Sequence, residues 1–351
     1  MAGTWWAACE GPAMSPDEQQ RLAAWLRAHV AAFDGELRLS RLAGGQSNPT
    51  YRVEAGAHRW VLRRKPPGVL LASAHAVDRE HRVMAALAGH GVPVPRMGGL
   101  CEDPAVIGST FVVMEHVDGR VFVDPALPGL PPAERAALYA AMADALAAIH
   151  RVDVAAAGLS GHGKPQQYLS RQIARWTRQY RDSQTEDIAP MEALIDWLPA
   201  HLPAGLDEHP GTLVHGDFRL DNLIFHPTEP RVLAVIDWEL STLGHPWADL
   251  SYHLMAWRVT PDEFRGLKGH DLAALGLPDE AAHLARYLGG RPGPDAATMD
   301  WLMAFNMFRM AAILQGILAR ARQGNAAAAD AEATGARARR MAEAGWRQVR
   351  G

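Results

Sequence analysis

Strand-like alternation in this chain is confined to residues 37–117, and nearly everything after Gly119 carries the spacing of amphipathic helices. Leu37-Arg38-Leu39 alternates, Gly44-Gly45 interrupts, and Tyr51-Arg52-Val53 resumes; Gly56 turns the chain into Trp60-Val61-Leu62-Arg63. A helix is expected over Ala76–Gly89, with Val77, Val83, Met84 and Leu87 apolar, and strands follow at Met97–Cys101 and Thr110–Met114. The pattern describes a small sheet interrupted by one helix.

Beyond Gly119, helices are expected at Ala133–His150, Arg171–Arg181, Met191–His201, Ala297–Gln323 and Ala326–Val349. One strand-like island breaks this run, at Thr212–Val214, Leu223–Phe225 and Val232–Ile236. The fold class is therefore α+β, in three segments: a helical start (1–36), a sheet-rich part (37–117) and a mainly helical part (118–351). In the first segment Ser15-Pro16-Asp17-Glu18 reads as a helix cap with acids in the first turn, and carries no chemistry.

Charge excludes some partners. Thirty-nine acidic against 35 basic residues give a formal charge of −4, which offers no electrostatic footing for nucleic acid or an anionic membrane. No apolar run is expected to approach the roughly 20 residues that span a bilayer. The first residues lack the basic and apolar regions of a secretory signal, so a cytoplasmic location is expected. Cys9 and Cys101 are too few for a disulfide framework or a zinc site. No feature reports the oligomeric state.

Chemistry concentrates in the strand island. His215-Gly216-Asp217-Phe218-Arg219-Leu220-Asp221-Asn222 lies between two apolar segments, and Asp237 follows a further strand in Val235-Ile236-Asp237-Trp238-Glu239. An isolated Asp or Asn in such a loop is usually an Asx turn. The joint pattern is rarer: at average residue usage its fixed positions arise on the order of once in a thousand chains of this length. Phosphoryl transfer needs these residue types together. One carboxylate orients a hydroxyl and takes its proton, while an amide and a second carboxylate hold Mg²⁺ against phosphates. A hairpin-like pair of strands would bring Asp217, Asn222 and Asp237 to one mouth.

At these residues the chain resembles the aminoglycoside phosphotransferase and choline kinase group. The resemblance implies a protein-kinase-like, two-lobed fold with a small antiparallel-sheet N-lobe and a larger helical C-lobe. It implies Asp217 as catalytic base, Arg219 near the transferring phosphate, and Asn222 and Asp237 as metal ligands. It also implies His215 as a structural residue of the loop and Asp249 as its brace. Gly44, Gly45, Gln46, Ser47 and Asn48 fall at the phosphate-covering loop, although the motif is not G-x-G-x-x-G. Where the family has a strand-borne lysine this chain has Arg63, followed by Arg64 and Lys65. Residues 63 and 65 share a strand face, so either is a candidate phosphate grip, with Glu80 as the matching acid. Met114, Glu115 and Val117 fall in the linker where the family binds adenine through backbone groups, which leaves ATP against GTP open.

Further motifs are similar to the kinase-like region fused to certain acyl-CoA dehydrogenases and to its free-standing bacterial relatives. They are Arg64-Lys65-Pro66-Pro67-Gly68, Ser73–Glu80, Val92-Pro93-Val94-Pro95, Ile236–Gly244 and Phe308–Gly316. This implies a hydroxylated small-molecule acceptor, possible examples being hydroxyacyl thioesters. Arginines in Ala297–Gln323 and in the tail favour a neutral or anionic acceptor over a polycationic antibiotic. Trp257, Trp301, Phe305 and Phe308 are candidates for an apolar acceptor wall or for core. Two other functions stay open: an aminoglycoside phosphotransferase, and a nucleotide-binding pseudokinase, which Arg63 and the irregular glycine loop favour and the complete Asp217, Asn222 and Asp237 set opposes.

Overall fold

Ser15 starts the first helix, α1 (Pro16–His29), through a reciprocal cap: its hydroxyl accepts from the Glu18 amide, and the Glu18 carboxylate accepts from the Ser15 amide. Such a cap contributes about 1 kcal/mol. A computed structural model describes residues 14–42, 48–66, 77–324 and 330–350. The chain forms two compact units. The first takes the described residues within Met1–Val123 together with Ala155–His162 and Asp221–Ser241; the second takes Asp124–Val154, Gly163–Leu220 and the described residues within Thr242–Gly351.

After α1 come β1 (Arg38–Arg41), β2 (Thr50–Ala55), β3 (His58–Arg64), α2 (Val77–Leu87), β4 (Met97–Cys101), α3 (Pro104–Ile107) and β5 (Phe111–Glu115). The five strands form one antiparallel sheet in the order β1-β2-β3-β5-β4. Alternation decides its faces. Val53, Trp60, Leu62, Phe111 and Val113 pack against Leu22 and Leu26 of α1, each large apolar side chain contributing about 1.5–3 kcal/mol on burial. Helix α2 buries Val83, Met84 and Leu87 against β4 and β5.

The second unit begins with α4 (Pro132–His150), α5 (Tyr168–Asp182), α6 (Ala189–Ala200) and the short strand β6 (Thr212–Val214). The chain then enters the first unit as β7 (Leu223–Phe225) and β8 (Val232–Val235). It returns to the second as β9 (Thr242–Gly244), α7 (Pro246–Arg258), α8 (Pro261–Phe264), α9 (Leu272–Leu275), α10 (Glu280–Leu288), α11 (Ala296–Arg322), α12 (Ala331–Gly335) and α13 (Ala338–Arg350). The expected hairpin across the 215–222 loop is not formed. Strand β6 pairs with β9, while β7 pairs with β8, because Gly216 turns the chain with a left-handed φ of 82°. The helix expected over Ala326–Val349 is instead two, α12 and α13.

Helix α11 is the centre of the second unit, packed by α5, α6, α7, α12 and α13. Contrary to the sequence expectation, it is long and apolar enough to cross a membrane by composition alone, with a window of mean hydropathy 1.5. That window is 89% buried inside the protein, so its apolar surface is used as core. Trp301, Phe305 and Phe308 are among the buried side chains and Trp257 lies in the same interior. They form core, and not an open acceptor wall.

Candidate functional site

In the first unit, strand β3 and helix α2 aim a buried cation at two carboxylates. The Arg63 Nη1 donates to Glu80 Oε1, and its Nη1 and Nη2 lie 3.4 and 3.3 Å from Asp237 Oδ1. Burial works against the Arg63 charge, but Glu80 and Asp237 more than offset it and hold its pKa above the ordinary arginine value. Glu80 is 1% exposed. Burial pushes its carboxyl up and Asp237 adds to the push, against the pull of Arg63 and the Trp238 amide. Lys65 takes a different partner, Asp78, at 2.9 Å.

Asp237 follows β8 with a left-handed φ of 66°, a conformation that costs a non-glycine residue about 1–3 kcal/mol and clusters at functional sites. Pairing of Leu223 with Val235, and the Ile236 amide on the Asn222 carbonyl at 3.0 Å, put Asn222 and Asp237 at one end of the β7–β8 hairpin. Arg79 secures the following turn by donating to the carbonyls of His162 and Ser241 at 2.9 and 3.1 Å. Asn222 is fully buried and supplies an amide oxygen beside a carboxylate, a hard oxygen pair that suits Mg²⁺, which commonly takes one or two protein ligands plus phosphate oxygens and water. Among the described residues no group of three or more His, Cys, Asp or Glu is set to hold a metal alone. The donor set thus fits an ion that arrives with phosphates.

Met114 lies in β5, paired with Val61 and Met97, and the Glu115 amide donates to the Arg96 carbonyl at 2.8 Å. Val117 packs on Val121, Ile224 and Ala234. Asn48 is buried, with neither side-chain polar atom hydrogen bonded among the described residues. Gly44, Gly45, Gln46 and Ser47 lie outside the described residues.

In the second unit the loop after β6 is held from below by Asp249, in the first turn of α7. Its carboxylate accepts from the His215 and Gly216 amides at 2.7 and 2.9 Å and lies 3.1 Å from His150 Nε2. Burial opposes the Asp249 charge, yet these donors hold its pKa below the ordinary value. His150 in turn meets the Tyr287 hydroxyl at 2.6 Å. His215 Nδ1 accepts from the Asp217 amide at 3.2 Å, so the loop is braced on its backbone.

Two residues that the sequence left unassigned complete this half. The Tyr252 hydroxyl donates to Asp217 Oδ1 at 2.5 Å, while Arg219 Nε lies 3.4 Å from the same oxygen. Burial, and secondarily Asp217, pushes the Tyr252 hydroxyl pKa far up, so it acts as a donor. Arg309 donates to the Gly216 carbonyl, its guanidinium 5.1 Å above the Tyr252 ring and 5.5 Å above Trp176. Both carried a signal. Tyr252 sits three residues after Asp249, on the same helical face, and Arg309 is the sole charged residue between Asp300 and Arg320.

The family model for the phosphotransferase enzyme family (APH) matches residues 38–285, which include every one of these groups except Arg309. This chain belongs to that phosphotransferase family. A crystal structure of a Ralstonia eutropha protein, provisionally named an aminoglycoside phosphotransferase, is 51% identical, with a TM-score of 0.84 over 94% of this chain and 97% of its own. Mouse acyl-CoA dehydrogenase family member 10 is 47% identical over 315 residues, covering 89% of this chain but 29% of that protein. This phosphotransferase-family chain spans no more than 42% of the length of the curated relatives it matches. A thermostable variant of aminoglycoside phosphotransferase APH(4)-Ia, crystallised with AMP-PNP and hygromycin B, shares the fold at 18% identity and a TM-score of 0.61 over 96% of this chain and all of its own.

Proposed function

We propose that this phosphotransferase is an ATP-dependent kinase that phosphorylates a hydroxyl group of a small metabolite, with Asp217 as the base. The observation that carries the reading is the hydrogen bond from Tyr252 to Asp217 on a loop braced by Asp249. A carboxylate held by its own donor and its own backbone is pre-oriented to receive a proton.

In this reading the acceptor oxygen attacks the γ-phosphorus and the bond to the β-bridging oxygen breaks. ADP leaves, and the hydroxyl proton passes to Asp217. Arg219 lies beside Asp217, where negative charge on the transferring phosphoryl group develops. Arg63, steered by Glu80, supplies the cation that a lysine supplies elsewhere in the family, and Lys65, engaged with Asp78, is left a lesser role. Asn222 and Asp237 would hold Mg²⁺, which neutralises phosphate charge when bound. Met114, Glu115 and Val117, with the glycine loop that ends at Asn48, would receive the nucleotide.

The acceptor class follows from the relatives. Identity of 47% to a protein named an acyl-CoA dehydrogenase supports a hydroxyacyl-CoA-type acceptor. The name of the Ralstonia protein supports an aminoglycoside instead. Turnover of Mg·ATP on panels of both kinds separates them: brisk transfer to hydroxyacyl thioesters is expected, and transfer to aminoglycosides alone would overturn the acceptor. Asp217→Asn is expected to abolish transfer with Mg·ATP binding intact, and Asp237→Ala to lose the Mg²⁺-dependent part of nucleotide binding in calorimetric titrations. Turnover by Asp217→Asn at the parent's rate would remove Asp217 from the mechanism.

A further inference from the structure

Arginines in the second unit mostly meet acids. Arg258 reaches Glu280 and Asp300, Arg286 reaches Asp144, and Arg181 reaches Glu192. Acids are not scarce in a chain with 39 of them. Two arginines beside the catalytic loop break the habit. Arg175, exposed at its surface on α5, has its guanidinium carbon 5.1 Å from the centre of the Trp176 ring, and the buried Arg309 lies 5.5 Å from the same ring. Among the described residues neither forms an ion pair, and the buried Nε of Arg309 has no hydrogen-bond partner.

The two charges act on each other. Surrounding protein first, and Arg309 second, draw the Arg175 pKa down. Like charges brought together without a counterion are costly in a partly desolvated setting. A solvent-facing helix arginine has long, flexible freedom to swing away, yet Arg175 is set against an indole instead. Stacking on a ring is worth about 0.5–2 kcal/mol and leaves the N–H edge of a guanidinium available. That edge matches a carboxylate or phosphate in two parallel hydrogen bonds. Arg309 also ties this pair to the reaction centre, since it stacks on Tyr252, whose hydroxyl holds Asp217.

We propose that Arg175 and Arg309, both set against Trp176, form an anion subsite of the acceptor site, so that the molecule phosphorylated carries an oxyanion, carboxylate or phosphate, away from its reacting hydroxyl. The placement of this subsite in the acceptor site rests on Asp217 being the base. A polycationic acceptor is disfavoured at it by direct repulsion.

Calorimetric titration of the full chain, with ADP and Mg²⁺ saturating so that nucleotide-gripping groups are engaged, tests this with three probes. They are 3-hydroxybutyrate for a carboxylate, coenzyme A for phosphates, and kanamycin for a polycation. One anionic probe or both should bind saturably, tenfold or more weaker in Arg175→Glu, intermediate in Arg175→Lys, and weaker as salt rises. The tighter of the two assigns carboxylate or phosphate chemistry. The proposal is overturned if neither anion binds, if Arg175→Glu leaves their affinity unchanged, or if kanamycin binds best. Asp217→Asn should leave anion binding in place. Continued transfer by Asp217→Asn would refute the base while sparing the subsite, and lost anion dependence on Arg175 would refute the subsite while sparing the base.

Discussion

The Tyr252 hydroxyl donates to Asp217 Oδ1 from helix α7, three residues beyond the Asp249 that holds the backbone of the same loop. One helix therefore sets both where the loop lies and how its carboxylate is turned. A phenol that is fully buried, with burial and Asp217 both opposing its ionisation, stays a donor across the working pH range.

Tyr252→Phe removes that donor and keeps the ring under Arg309. A hydrogen bond to a charged group is worth about 1.5–3 kcal/mol, so kcat should fall roughly tenfold or more while the KM for nucleotide stays within about twofold. Steady-state kinetics on the proposed acceptors reads this split. A change confined to KM would mean that Tyr252 shapes binding and does not orient Asp217.

Much of this was legible because it is local. The cap at Ser15, the alternation of β2 and β3, and the apolar stripe of α2 are set within a few residues, where propensity and pattern suffice. The Asp217-to-Asn222 spacing and the strand before Asp237 mark the chemistry for the same reason. Strand pairing was not legible. Leu213 meets Leu243, thirty residues on, while the nearer Leu223 pairs with Val235, because short apolar strands carry no register information beyond their own alternation. Arg309 was read as one arginine among several on a helix face. Its burial follows from α11 being enclosed on all sides, a tertiary fact that no window of sequence holds.

The Arg63–Glu80 contact predicts non-additive energetics. Arg63→Ala strands a carboxylate that is 1% exposed and already pressed by Asp237. Breaking a buried pair from one side costs about 3–5 kcal/mol. The double variant Arg63→Met with Glu80→Leu removes both charges and should recover most of that stability in urea unfolding. Its Mg·ATP affinity should nevertheless be lost in calorimetry. Additive destabilisation by the two substitutions would show that the pair is not coupled.

Buried histidines set an acid limit. Burial pulls the His162 pKa down to about 4, with Arg79 and Arg82 adding to it, the His253 pKa to about 4 and the His245 pKa to about 3; His283, 2.9 Å from His253, is lowered as well. The unfolded chain takes these protons near pH 6.5, so between about 6.5 and 4 it binds more protons than the folded chain. Stability is therefore full above that window and falls as pH drops through it, by up to about 1.4 kcal/mol per pH unit for each histidine. Melting temperatures followed from pH 7.5 to 4.5 should decline steeply below 6.5. A level profile from 7 to 5 would show that these histidines are not held neutral by the fold.

Gly119 predicts a coupling between the end of the β5 segment and the metal-binding hairpin. A Cβ at Gly119 would lie 2.4 Å from the Phe225 carbonyl oxygen and 2.5 Å from Ile224 Cγ2. Beside it, Arg120 and Phe225 exchange both backbone hydrogen bonds at 2.8 Å. Phe225 closes the β7 strand that opens directly after Asn222, so the extra methyl has to displace that strand or break the bridge. Gly119→Ala should cost about 1–3 kcal/mol by overpacking and weaken Mg²⁺-dependent nucleotide binding. Gly129→Ala is the control: that glycine has φ +84° with nothing within 4 Å of the added atom. Its substitution should cost backbone strain alone, about 1 kcal/mol, and leave nucleotide binding unchanged. Equal nucleotide affinities in the two variants would mean that the close approach at Phe225 does not reach Asn222.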